Sequence, residues 1–158
     1  MKKLLLIRHA KATHESGFED YERPLTHSGV RDAAVMAARI DSLSLVPQVI
    51  VSSPALRTLS TANIFSEHLS RPEPITDKAI YDASEKTLLK VINQLPDQYE
   101  FVALVGHNPG ISQILYYLSG EPREMDTCGI ALLVFQDDSW ATITENVGKL
   151  VHFDSPKL

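Results

Sequence analysis

The apolar positions of this chain follow two patterns that alternate along it. Short unbroken runs come at Leu4-Leu5-Leu6-Ile7, Val49-Ile50-Val51 and Phe101-Val102-Ala103-Leu104-Val105. Such runs suit strands buried on both faces. They predict strands over Lys3 to Ile7, about Gln48 to Val51, and Phe101 to Val105. Between them, apolar residues recur at helical spacing. Thr26 or Ser28 can cap a helix to about Leu43, with Val30, Ala33, Ala34, Ala37 and Ile40 on one face. A helix from about Leu56 to Leu69 buries Leu59, Ala62, Phe65 and Leu69, and Pro72 and Pro74 stop it. Ser84 caps a helix with the stripe Leu88, Val91, Ile92 and Leu95. Ile111, Ile114, Leu115 and Leu118 mark a helix ended by Gly120. Ile130 to Phe135 and Trp140 to Val147 flank Gln136-Asp137-Asp138-Ser139, a hairpin signal. The alternation implies an α/β fold: a mostly parallel sheet covered on both faces, with an antiparallel hairpin near the C-terminus. Thr13 to Leu25 shows no clear period, and loops of that length are usually functional or mobile.

Length and composition narrow this picture. The 158 residues suit one domain spanning 1–158, with 44% hydrophobic and 22% charged residues as in an ordinary globular protein. The net charge of -5, without a Lys/Arg run beyond Lys2-Lys3, speaks against nucleic acid or an anionic membrane as partner. Any anion site must then be a local cationic pocket. Cys128 is the lone cysteine, so no disulfide framework or Cys-based zinc site is expected, and a reducing compartment fits. Lys2-Lys3 resembles the start of a signal peptide, but Arg8 interrupts the apolar run short of the ~7 residues needed. No segment approaches the ~18 apolar residues of a membrane span. A cytoplasmic location is expected.

Candidate chemistry gathers at the strand ends. The first strand runs into Arg8-His9, the second into Ser52-Ser53-Pro54-Ala55-Leu56-Arg57, the third into Gly106-His107-Asn108-Pro109-Gly110. Ligands of open α/β sheets bind at the carboxyl ends of strands. Two histidines and two arginines are therefore expected at one edge, a cluster suited to a phosphoryl group. Neutral imidazole is a competent nucleophile toward phosphorus. Arg8 and Arg57 can grip non-bridging oxygens in bidentate forks, and His107 can be a further cationic donor. Arg57 falls in a helix's first turn, where a cation opposes the dipole unless an anion is near. Ser52, Ser53 and the amides of that turn can add donors. The histidines form no i, i+4 pair with a Glu base, and two arginines would repel a cation, so no metal is expected.

These residues also carry a likeness. Leu-Ile-Arg8-His9-Ala, Arg23-Pro24-Leu25-Thr26-His-Ser-Gly29, Ser52-Ser53-Pro54-Ala-Leu-Arg57-Thr-Leu-Ser-Thr61-Ala62 and Val-Gly106-His107-Asn-Pro-Gly resemble, in order, the motifs of the histidine phosphatase superfamily. Its members include cofactor-dependent phosphoglycerate mutases and many phosphatases. The short length, Arg-His-Ala-Lys, Arg-Pro-Leu-Thr and Gly-His-Asn-Pro-Gly resemble the SixA-type phosphohistidine phosphatase branch. The resemblance implies a three-layer α/β/α sandwich and His9 as the nucleophile that becomes phosphorylated. Arg8, Arg57 and His107 would complete the phosphate pocket, with no metal or organic cofactor.

Two departures bear on substrate. Many members carry Ser or Thr and then Asn shortly after the Arg-His, as phosphate ligands; here Ala12-Thr13-His14-Glu15 leaves Thr13 as a loose substitute. Many carry a Glu general acid before the third helix; Ala79-Ile80-Tyr81-Asp82-Ala83 offers Asp82 at that place. An alkoxide leaving group needs a proton, whereas a protonated imidazole leaves without further help. The expected function is therefore a metal-independent phosphatase acting on phosphohistidine in a partner protein, such as a signalling or phosphotransfer protein. A small-molecule phosphomonoester phosphatase is the alternative. A mutase lacks a basic cluster for a phosphoglycerate carboxylate and a long lid. A non-catalytic reader of phosphorylated partners would not need the whole cluster.

Overall fold

The structure, a computed structural model, describes residues 1–158. Six strands, β1 (Lys2–Arg8), β2 (Val49–Ser52), β3 (Ile75–Thr76), β4 (Phe101–Gly106), β5 (Ile130–Phe135) and β6 (Gly148–Asp154), form one sheet ordered β3-β2-β4-β1-β5-β6. β1 through β4 run parallel. β5 is antiparallel to both β1 and β6. Helices α1 (His27–Ser42) and α2 (Leu56–His68) pack on one face, α3 (Glu85–Asn93) and α4 (Gly110–Ser119) on the other. This is the expected α/β architecture of three layers.

The unbroken apolar runs are explained by two cores separated by the sheet. Alternate side chains of a strand point to opposite faces. Leu4, Leu6, Val49, Val51, Val102 and Leu104 pack with α3 and α4. Leu5, Ile7, Ile50, Ala103 and Val105 pack with α1 and α2. Both faces being covered, neither phase of the strand can be polar.

Local chemistry sets the helix boundaries. The Thr26 hydroxyl accepts from the Gly29 amide at 3.0 Å, and the Ser84 hydroxyl accepts from the Thr87 amide at 3.3 Å. Gly120 ends α4 in the left-handed region, at φ 78°. On α1 the buried stripe is Ala33, Met36, Ala37 and Ile40, while Val30 faces outward. In the first turn it is Gly29 that continues this stripe, abutting the Lys11 carbonyl so closely that a Cβ would overlap it.

The hairpin differs in its second strand. Trp140–Thr142 forms a 3-10 turn capped by Ser139, and the strand begins only at Gly148. Asp97 accepts from the Trp140 amide and the Ser139 hydroxyl, and Asn93 donates to the Trp140 and Ile143 carbonyls. These bonds bury Trp140 in the core on the α3 and α4 side as a plug rather than as part of a strand. His152 to Asp154, which carry no sequence signal, complete the edge strand.

The sheet aligns the strand ends that matter. Arg8 is paired with Gly106, and Ser52 with Val105. The residues that follow β1, β2 and β4 therefore emerge side by side.

Candidate active site

His9 leaves β1 with its backbone amide bonded to the Gly106 carbonyl at 3.1 Å. Its Nδ1 lies 2.7 Å from the Ala10 carbonyl oxygen. A carbonyl only accepts, so Nδ1 carries the proton and Nε2 keeps its lone pair. The Ala10 amide donates to the Thr61 hydroxyl at 3.0 Å, and that hydroxyl donates to the Arg57 carbonyl at 2.8 Å. One α2 residue thus ties the His9 turn to the Arg57 turn. His9 is 8% exposed; burial, opposed in part by the Ala10 bond and reinforced by Arg57, Arg8 and Arg23, lowers its pKa to about 4. At neutral pH it is an uncharged imidazole with a free lone pair.

His107 follows β4, with its ring centroid 5.5 Å from that of His9. Its Nε2 lies 2.9 Å from the Ser53 hydroxyl, which also accepts from the Ala55 amide at 3.3 Å. With the hydroxyl donating to Nε2, the free proton is on Nδ1. Burial, then Arg57 and His9, push the His107 pKa down to about 3. At neutral pH it is an uncharged imidazole; a cation there requires the negative charge of a phosphoryl group.

Arg8 donates from Nη1 to the Met125 carbonyl at 3.0 Å. Asn108 donates to the same carbonyl, and the Ser112 hydroxyl accepts from the Met125 amide, so the start of α4 holds the segment that orients Arg8. Burial lowers the Arg8 pKa, opposed by Glu124 and Asp126. Arg57, 6% exposed, is held by the loop after β1. Its Nη1 donates to the Asp20 carbonyl at 2.7 Å and its Nη2 to Asp20 Oδ2 at 3.1 Å.

Four buried side-chain nitrogens lack a hydrogen-bond partner, and three of them belong to this cluster: Arg8 Nε, Arg57 Nε and His107 Nδ1. Buried polar groups are ordinarily satisfied, so three orphans in the cluster that holds His9 mark a place for a group rich in acceptors. A phosphoryl group presents three non-bridging oxygens.

The other expected residues are distributed differently. Ser52 donates to the Ser53 carbonyl, and it is Ser53 that touches His107. Ser52 is the last residue of β2 and fully buried, so its side chain turns into the fold. The Thr13 hydroxyl accepts from the Glu15 amide at 3.1 Å, a local turn bond. Asp82 is exposed at a left-handed φ of 51°.

Two residues escaped the sequence reading. The ring of Tyr81 packs edge-on against His107 at 5.5 Å, and its hydroxyl donates to Asp20 Oδ2 at 2.6 Å. Asp20 also accepts at Oδ1 from Arg23 Nε at 3.2 Å. The Tyr81 hydroxyl bond foremost, with Arg57 next among the favourable partners, lowers the Asp20 pKa to about 2. The sequence held two weak signals for this pair: the aperiodic stretch Thr13 to Leu25, and Asp20 three residues before the Arg23-Pro24-Leu25 motif.

Comparison with known proteins agrees with this geometry. The chain belongs to the histidine phosphatase superfamily, whose branch 1 model matches residues 4–85. Within it, the chain is a phosphatase of SixA-like fold. It superposes with a TM-score of 0.83 on a candidate phosphohistidine phosphatase SixA of Agrobacterium tumefaciens, at 26% identity and over 98% of each chain. The protein histidine phosphatase SixA solved with tungstate gives 0.85, at 21% identity over 98% of this chain and 97% of that one. An uncharacterized chloroplastic protein of Arabidopsis thaliana is 30% identical over 151 residues, 88% of this chain and 69% of that protein. No helix is long and apolar enough to cross a membrane.

Proposed function

We propose that this protein hydrolyses phosphohistidine on a partner protein through a covalent phosphoryl group on His9, in a cytoplasmic setting and without a metal. One observation carries the reading: a neutral His9 with a free Nε2 shares its strand-end cluster with three buried side-chain nitrogens, of Arg8, Arg57 and His107, that have no partner. Nε2 attacks phosphorus, and a new N–P bond forms as the bond to the leaving nitrogen breaks. The electron pair stays on the departing imidazole, which leaves neutral when its far nitrogen carries a proton. Arg8, Arg57 and His107 hold the charge spread over the equatorial oxygens. Water then attacks phospho-His9, releasing inorganic phosphate and restoring the imidazole.

Substrate class is argued from the leaving group. Ester cleavage needs a proton donor. The Tyr81 hydroxyl is committed to Asp20, and Asp20 is ionised at neutral pH. Asp82, exposed beside Tyr81, would serve esters alone in this reading. Phosphohistidine needs no donor. The relatedness to a SixA candidate at 26% identity supports the same class. A polar groove lined by Ser84, Lys86, Ser112, Tyr116, Arg123 and Glu124 borders Asn108, so a partner's surface has room beside the pocket. Arginines at the centre, and the lack of any group of three His, Cys, Asp or Glu side chains suited to a metal, support metal independence.

The test is a trapping experiment with a substrate panel. Rapid quenching should capture an acid-labile, base-stable phosphate on the wild type. His9→Ala should lose both the label and turnover. Phosphohistidine proteins should exceed sugar and glycerate phosphates in kcat/KM, with activity unchanged by excess EDTA. Substantial turnover by His9→Ala would sink the mechanism, and a preference for glycerate or sugar phosphates would sink the substrate class.

A further inference from the structure

Asp20 is a carboxylate placed against a phosphate clamp, where it costs binding energy for any dianion. That placement calls for a return in the chemistry of the site. His9 lies deep in the cluster, at 8% exposure, whereas the Asp20 side chain, bonded to Arg57 and Tyr81, is 57% exposed and forms part of its outer rim. An in-line displacement puts the leaving group opposite the nucleophile, hence at the rim. An ionised carboxylate offers about four acceptor positions. Oδ2 is taken by Tyr81 and Arg57, and Oδ1 accepts from Arg23 alone. One lone pair of Oδ1 remains, on a carboxylate that three donors hold still.

We propose that Asp20 is a specificity-determining residue whose Oδ1 accepts the far N–H of the departing imidazole and thereby selects nitrogen-bound over oxygen-bound phosphoryl groups. The inference rests on the phosphohistidine reading above and names the group that recognises that substrate. A carboxylate at the leaving-group position stabilises an imidazole protonated on its far nitrogen. The same charge repels a phenolate or alkoxide as it gains negative charge. No proton is transferred: it stays on the far nitrogen, and the P–N electron pair goes to the near one. Arg57 keeps its orientation through the Asp20 backbone carbonyl as well, so the side chain is free to have this second role.

The experiment compares kcat/KM for phosphoimidazole and p-nitrophenyl phosphate in the wild type, Asp20→Asn, Asp20→Ala and Asp20→Glu, with thermal midpoints measured alongside. Asn keeps an acceptor for Tyr81 and Arg57 but removes the charge. The ratio of phosphoimidazole to aryl phosphate should fall roughly tenfold or more in Asp20→Asn, the range of a hydrogen bond to a charged group. Aryl phosphate turnover should fall too, as Arg57 loses its ionic partner, but by several-fold less than phosphoimidazole turnover. Asp20→Glu should keep most of the preference, and Asp20→Ala should lose it; this pair decides the matter should the Asn variant fold poorly. Parallel loss on both substrates would show that Asp20 only positions Arg57, and an unchanged ratio would remove it from recognition; either overturns the proposal. A wild type that does not prefer phosphoimidazole overturns the phosphohistidine reading instead, and the change in ratio still judges Asp20.

Discussion

Arg57 stands in the first turn of α2, where the helix dipole opposes a cation, and Asp20 is the anion that offsets the cost. In turnover the phosphoryl group is the second such anion. Arg57→Ala should lower kcat/KM roughly 10²-fold or more, because a charge-assisted contact to the transition state is worth several kcal/mol in a site shielded from water. Arg57→Lys should recover little of this, since one ammonium cannot span the Asp20 carbonyl, the Asp20 carboxylate and a phosphoryl oxygen together. Steady-state kinetics on one aryl phosphate decide the point. Full rescue by Lys would mean that Arg57 supplies field rather than geometry.

Elements rather than residues bring the rim to the cluster. The segment that carries Tyr81 crosses the start of α4, and there Gly110 lies against the Ala83 carbonyl with no room for a Cβ. Gly110→Ala must displace that carbonyl, two residues from Tyr81, and so disturb the packing of Tyr81 on His107. A backbone obstruction of this kind costs about 1–3 kcal/mol, as other overpacked sites do. The variant should show a lower thermal midpoint and a weakened Tyr81–Asp20 bond. KM for aryl phosphate should move with it. An alanine variant of wild-type stability and kinetics would show that the loop yields freely. Gly29, against Lys11, makes the same kind of close approach at the start of α1.

Stability of the whole molecule should carry the mark of two buried, neutral imidazoles. His9 and His107 have pKa values lowered to about 4 and about 3, against about 6.5 in an unfolded chain. Below pH ~6.5 the unfolded chain takes up protons that the native site resists. Their contribution is therefore complete above ~6.5 and is lost as pH falls toward the folded values. Each group tilts the stability curve by up to about 1.4 kcal/mol per pH unit in that window. Asp20 acts lower, its depressed pKa adding stability above about 4 that is lost toward 2. Thermal midpoints should fall between pH 6.5 and 4. The slope should flatten in His107→Gln, and in the wild type saturated with inorganic phosphate, which favours the protonated imidazoles. A midpoint independent of pH across this range would contradict the buried neutral pair.

The chain determined by itself those features that repeat or are local. Apolar runs placed β1, β2 and β4, because strands covered on both faces tolerate no polar position. Thr26, Ser84 and Gly120 set helix ends through bonds that span three or four residues. Arg8, His9, Arg57 and His107 were legible because each directly follows, or opens the helix after, a recognisable strand, and parallel strands share one carboxyl edge. Only the tertiary structure decided the rest. Trp140 reads as strand by composition, yet partners at Asp97 and Asn93 make it a buried plug. Ser53, not Ser52, meets His107, a choice made by the last half-turn of a strand. Asp20 and Tyr81 lie 61 residues apart and meet over Arg57 through a bond that no local pattern encodes. Periodicity reports burial, and caps report the backbone's own needs; a polar pair joined across two loops is specified by neither, and exists only once the sheet has brought both loops to the same edge.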